Sequence, residues 1–188
     1  PFGSYSVVIT EDELEIPLEA QGLSIFGSNF LTDAWESVRL VAHEMAHQWF
    51  GNSVTAETWR DIWLHEGFAC YAEWLWSEQS GGPTADEHAR AHWQKLADKP
   101  QDLVLGDPGP DDMFDDRVYK RGALLLHVLR ANLGDETFFG LLREWTARHC
   151  YGSVTTEMFI DLAEELAGRP LNAVFTPWLS QPELPQLP

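Results

Sequence analysis

The chain has 188 residues, of which 44% are hydrophobic and 12% aromatic, enough for one globular domain with a ring-rich core. Its 30 acidic and 12 basic residues give a formal net charge of −18, which repels phosphate backbones and excludes nucleic acid as a partner. It contains no apolar run of about 18 residues, so no membrane span is expected.

The acidic balance reads either as a solvated surface or as a field that draws cationic groups, such as a peptide α-amine, toward a cleft. Two cysteines, Cys70 and Cys150, are too few for a disulfide-stapled secreted domain and favour reduced thiols in a cytoplasmic protein. The opening residues, Pro1 to Tyr5, lack the regions of a signal peptide and enter a strand-like stretch at once, which suggests a piece of a longer protein.

In chain order, Tyr5, Val7 and Ile9 alternate with small partners over residues 5–10 and predict a strand. A second lies between Gly22 and Gly27, so residues 1–30 form edge strands. Asp33 with Glu36 predicts a capping box opening a helix that Gly51 closes. Another helix runs from about Thr58 to Ser80 and stops at Gly81-Gly82-Pro83, so 33–80 is a helix pair. Thr84 with Glu87 caps a third helix, which ends before Pro100, and a loop rich in Pro, Gly and Asp spans 100–114. Further helices are predicted at Asp116–Asn132, with Gly134 as terminator, and near 135–149, 155–167 and 172–180, making 84–180 a helical bundle. Residues 182–188 read as an extended tail. The whole is one α+β domain over 1–188, mostly α-helical, with a small sheet at the front.

The first helix of the pair carries His43-Glu44-Met45-Ala46-His47. Residues i and i+4 share a helix face, so two neutral imidazoles project side by side and reach one Zn²⁺ at about 2.0–2.1 Å. Glu44 is turned about 100° from His43, off the metal but near a metal-bound water, whose proton it can take. A catalytic zinc wants three protein ligands and an open position. Glu66 stands on the next helix, with the 18 residues 48–65 between it and His47, and folding that helix back brings it level with the histidines. His43, His47 and Glu66 then hold one Zn²⁺ per chain as a hydrolytic centre.

The runs His43-Glu44-Met45-Ala46-His47-Gln48-Trp49-Phe50-Gly51-Asn52 and Trp63-Leu64-His65-Glu66-Gly67-Phe68-Ala69 closely resemble the gluzincin aminopeptidases, the family of aminopeptidase N and the leukotriene epoxide hydrolase. The resemblance extends from about residue 5 to Trp178-Leu179. It implies a thermolysin-like zincin catalytic domain whose flanking domains lie outside this sequence. It implies a peptide substrate with a free N-terminus, hydrolysed by a zinc-bound water, and an edge strand near 16–27 lying along the cleft. The family's Tyr-x-Lys-Gly-Ala segment is matched by Tyr119-Lys120-Arg121-Gly122-Ala123, with Arg121 in place of lysine, which makes Tyr119 the oxyanion donor. Its Gly-Ala-Met-Glu-Asn strand aligns with Ile16-Pro17-Leu18-Glu19-Ala20, where only the glutamate is kept. Glu19 is thereby the candidate for binding the α-amine. That departure leaves a zinc endopeptidase open beside the aminopeptidase. An epoxide hydrolase of the same fold and a catalytically inactive scaffold relative stay open as well.

The remaining polar residues are read more plainly. His88 and His92 are expected to be a solvent-facing pair, His127 a hydrogen-bonded core residue, and His65 either support for the site or packing. Cys70 is expected to be small and buried, and Asp61 or Glu73 to back up a metal ligand. Trp59, Trp63, Trp74 and Trp76 are expected to pack the second helix.

Overall fold

A computed structural model describes residues 2–188. At the front, β1 (Ser6–Ile9), β2 (Leu18–Ala20) and β3 (Leu23–Phe26) form a sheet in the order β1-β3-β2. β1 runs parallel to β3 and β2 antiparallel to it, with Glu19 opposite Ser24. The short β2–β3 connection passes through Gly22 at φ +72°, a left-handed conformation that glycine adopts without strain. β2 is left as an edge strand.

The helix α1 spans Trp35–Ala46 and begins differently from the sequence expectation. Its N-cap is Ala34, and no side chain caps it, so the Asp33–Glu36 box does not form. With Ala34 as N-cap, Glu36 falls one position short of the place from which it would reach back. The helix also closes earlier than Gly51: residues after Ala46 tighten into turns, and Gly51 at φ +129° reverses the chain. There the chain enters β4 (Val54–Ala56), which pairs in parallel with β5 (Gly152–Val154), a second sheet absent from the sequence reading.

The expected helix from Thr58 is a single 3₁₀ turn, Trp59–Asp61, followed by α2 (Trp63–Gln79). α3 (Ala85–Ala97) carries the Thr84–Glu87 capping box with both arms made. α4 (Asp116–Leu133) starts at Asp115, whose side chain accepts from the Arg117 N–H, and ends at Gly134. α5 (Asp135–Arg148), α6 (Thr156–Ala167) and α7 (Asn172–Ser180) complete the bundle.

The core is built of rings, with Trp63, Trp74, Trp145, Tyr71, Phe138, Phe159 and Phe175 fully enclosed. Trp59 and Trp76 do not join it; they are 63% and 48% exposed. Two residues along a helix is a turn of about 200°, so Trp76 faces away from the side that Trp74 buries. His88 and His92, expected in solvent, instead stack on Trp74 at centroid distances of 6.3 and 5.3 Å, and His88 also meets the Ser77 hydroxyl at 2.8 Å. Apolar ring area drives both imidazoles inward. His127 is half-buried between the Tyr71 hydroxyl at 3.3 Å and Asp86 at 3.5 Å. Cys70 is buried, Cys150 exposed, and neither is bridged.

Two contacts fix α4. A Cβ on Gly67 of α2 would meet the Gly122 Cα at 2.9 Å, so the two helices touch backbone to backbone. Arg121, buried beside that contact, donates to the carbonyls of Leu103, Pro177, Trp178, Gln181, Pro182 and Glu183, pinning the extended tail.

Candidate active site

The last turn of α1 places His43, Glu44 and His47 on the floor of a cleft of about 560 Å³. The first turn of α2 brings Glu66 to the same floor. All four are buried, at 6%, 4%, 2% and 6% exposure. One ligand atom from each of His43, His47 and Glu66 lies within 4.8 Å of the others. Glu66 Oε2 is 3.3 Å from His43 Nε2 and 3.5 Å from His47 Nε2.

The far ring nitrogens are already engaged. His43 Nδ1 sits 2.8 Å from Glu73 Oε1, and His47 Nδ1 sits 3.0 Å from the Phe50 carbonyl. A carbonyl only accepts, so His47 Nδ1 carries the proton and its Nε2 lone pair is turned to the site. The Glu73 carboxylate imposes the same tautomer on His43. This is a donor set of two imidazole nitrogens and one carboxylate, oriented from behind and open on one side, and it fits a zinc ion. Of the two carboxylates considered as backing for a ligand, Glu73 takes that place. Asp61 does not: it accepts from the Thr156 N–H at 3.0 Å and hydroxyl at 2.7 Å, joining the entry of α2 to α6.

Burial and charge shape the titration of the cluster. Burial opposes charge on Glu66, yet hydrogen bonds from His43 and His47 hold it down at about 2. Burial would lower His43, but Glu66 and Glu73 outweigh it and raise it to about 9. The field that draws a proton to these rings also draws a divalent cation. Glu44 is pushed up to about 7, first by burial, with His43 and His47 opposing and Glu19 and Glu66 reinforcing. Burial, followed by Glu66, Glu19 and Glu44, raises the Tyr119 phenol, which stays protonated.

Tyr119 stands half-buried on α4, its ring nearly parallel to His43 at 6.1 Å between centroids. The Gly67–Gly122 contact makes this approach possible, because any side chain there would separate α4 from the helix carrying Glu66. Glu19, half-buried on β2, lines the same cleft. All six residues singled out in the sequence therefore meet at one site.

The sequence reading missed how β2 is held there. Gln48 Oε1 accepts from the Gly22 N–H at 2.6 Å and its Nε2 donates to the Ala20 carbonyl at 3.1 Å, while Asn52 Nδ2 donates to the Glu19 carbonyl at 3.1 Å. The residues just after His47 thus clamp the edge strand to the metal-site helix. His65 packs: its Nε2 accepts from the Ala56 N–H at 2.7 Å, and burial, then His47, lowers it to about 4.

A mostly helical α+β fold, with two imidazoles and a carboxylate converging beneath an edge strand, is the architecture of a metal-centred peptidase domain. The chain belongs to peptidase family M1, whose domain matches residues 2–178. Aminopeptidase N of Lactococcus lactis is 34% identical over 158 residues, covering 78% of this chain and 19% of that protein. The chain thus spans about a fifth of the length of this curated relative. An M1 zinc metallopeptidase mutant from Deinococcus radiodurans, bound to a Tyr-Ser-Ala substrate, superposes with a TM-score of 0.87 at 33% identity, covering 98% of this chain and 41% of that one. Yeast LTA4 hydrolase superposes with a TM-score of 0.83 at 25% identity, covering 100% and 33%. Among the described residues no helix is long and apolar enough to cross a membrane.

Proposed function

We propose that the chain is the catalytic domain of a zinc aminopeptidase, a part of a longer protein with flanking domains, that removes N-terminal residues from peptides. The observation that carries this reading is the convergence of His43, His47 and Glu66 within 4.8 Å, with Glu73 and Phe50 occupying the rear ring nitrogens. These three residues would hold a zinc ion, which would supply Lewis-acid polarisation of the scissile carbonyl and a bound water of lowered pKa.

Glu44 is the general base. Buried on the same cleft floor, one residue from His43, its carboxylate accepts the water's proton and returns it to the leaving amine. The Tyr119 phenol donates a hydrogen bond to the oxygen on which negative charge develops. Glu19 accepts from the substrate's α-ammonium, and the free edge of β2 offers backbone groups to an extended peptide. The named activity of Lactococcus aminopeptidase N and the peptide-bound Deinococcus relative support this substrate class. Two unbridged cysteines suit a reducing, cytoplasmic setting.

The test joins zinc stoichiometry to turnover of an aminoacyl anilide. One zinc per chain with measurable turnover is expected. Glu44→Gln should keep the zinc and lose about 10²- to 10⁴-fold in rate. A Glu44→Gln chain that stays active removes the assigned base. Equal hydrolysis of free and N-acetylated peptides would transfer the reading to an endopeptidase.

A further inference from the structure

Arg39 and His43 stand one turn apart on α1 and share a face. Glu66 and Glu73 stand two turns apart on α2, again on one face. Where the helices meet, the four side chains interleave. Arg39 Nη1 donates to Glu73 Oε1 at 2.9 Å, His43 Nδ1 donates to the same oxygen at 2.8 Å, and His43 Nε2 faces Glu66 Oε2 at 3.3 Å. Apart from the His43–Glu66 contact, every polar side-chain contact between α1 and α2 among the described residues goes to Glu73. The row begins at solvent, where the Arg39 side chain is 29% exposed on the cleft wall, and ends in the buried cluster.

Glu73 is 1% exposed, and its carboxylate hangs on three rotatable bonds. One hydrogen bond pins an oxygen at a point and leaves the group free to swing about it. A second donor, arriving from another residue, sets its orientation. Lys120 also lines this part of the cleft, but its ammonium donates to the Cys70 sulfur at 3.3 Å. Among the described residues, Arg39 is therefore the one arginine or lysine hydrogen-bonded to Glu73.

We infer that Arg39 is a positioning residue for the metal centre: it holds the Glu73 carboxylate against His43, and so keeps the His43 Nε2 lone pair turned to the ion. The inference rests on the zinc reading above and is independent of the substrate. Charge alone gives the opposite sign. A guanidinium close to a cation site repels the ion, so its removal by that route tightens zinc binding. Its removal as the holder of Glu73 loosens it.

Chelator competition for zinc on the full chain separates the two. Arg39→Met keeps an apolar stem without the charge or the donors. It should weaken zinc binding about 3- to 10-fold, less than the loss expected for a group bonded directly to a metal-binding histidine. Arg39→Lys retains the charge and a donor and should recover part of that loss. With Glu73→Met in place no acceptor remains, and adding Arg39→Met should then change zinc affinity by less than about twofold. Unchanged or tighter zinc binding in Arg39→Met overturns the inference. So does an undiminished loss in the Glu73→Met background, because Arg39 then acts by another route. A parent chain that takes up no zinc removes the zinc reading and this inference together. Equal zinc affinity in the parent and in Arg39→Met removes this inference alone.

Discussion

The helices around the His43–His47–Glu66 cluster and the sheet that edges the cleft are built on opposite principles. α1, α2 and α4 meet through buried side chains and a bare backbone contact at Gly67–Gly122, and every residue of the metal cluster is under a tenth exposed. The sheet has little core of its own. All of β1 is exposed, with Val7, Val8 and Ile9 between 41% and 48%, and β2 is held by polar clamps from Gln48 and Asn52. The difference separates two tasks: packing sets the buried cluster, and a few hydrogen bonds set the strand at the cleft's edge.

The largest way to break this contrast is Gly67→Val. A side chain placed 2.9 Å from the Gly122 backbone should cost about 3 kcal/mol and displace Tyr119, seen as a lower thermal midpoint with loss of turnover. Gly140→Ala, where a Cβ meets nothing within 4 Å in the middle of α5, should instead stabilise by about 0.5–1 kcal/mol.

Next in size is Glu73→Gln. Neutralising the group behind His43 should weaken zinc binding by about 10- to 100-fold in a chelator competition, with the fold retained. Gln48→Ala should do the reverse. It removes two bonds to the β2–β3 turn, worth about 1–2 kcal/mol, and should appear mainly as a raised KM at unchanged zinc content.

The smallest effect concerns pH. His92, pressed on Trp74, is lowered to about 4 by burial, then by Lys120 and Lys95. Between pH 6.5 and 4 the unfolded chain therefore takes up this proton and the folded one does not, so stability falls as pH falls. Solvent at the half-buried ring keeps the loss to about 1 kcal/mol at pH 5. Denaturant unfolding of His92→Phe against the parent at pH 7 and pH 5 isolates it; an equal drop in both proteins would show that His92 stays outside the linkage.

What the sequence disclosed follows the same division. Groups four apart on a helix must share a face, so His43 and His47 were legible together, and Thr84 with Glu87 announced a capping box that both arms complete. The shared glutamate was enough to bring Glu19 to the cleft. Side chains that bond to backbone leave no such pattern. Gln48 and Asn52 reach carbonyls and an amide about 30 positions away, so nothing local marks them as clamps. Glu73 lies two helical turns past Glu66 on the same face, a spacing that could have preferred it to Asp61. The β4–β5 pair joins three-residue strands about a hundred positions apart, too short to show a period. Asp33 misled because a capping motif is satisfied only when the helix starts at that residue.

Arg121 stands where the resemblance to the Tyr-x-Lys-Gly-Ala motif leads one to expect lysine, and its setting explains what the longer head accomplishes. A compact ammonium presents three donors from one point; the planar guanidinium presents five in a fork and here gathers carbonyls from two separate stretches of chain. Among the described residues its hydrogen bonds all go to peptide carbonyls, and burial, opposed by Glu183, holds its pKa down at about 10. Peeling away residues 181–183 would take three of its six carbonyl partners from that cation, two positions from Tyr119. One guanidinium thus ties the end of the bundle to the helix that carries Tyr119.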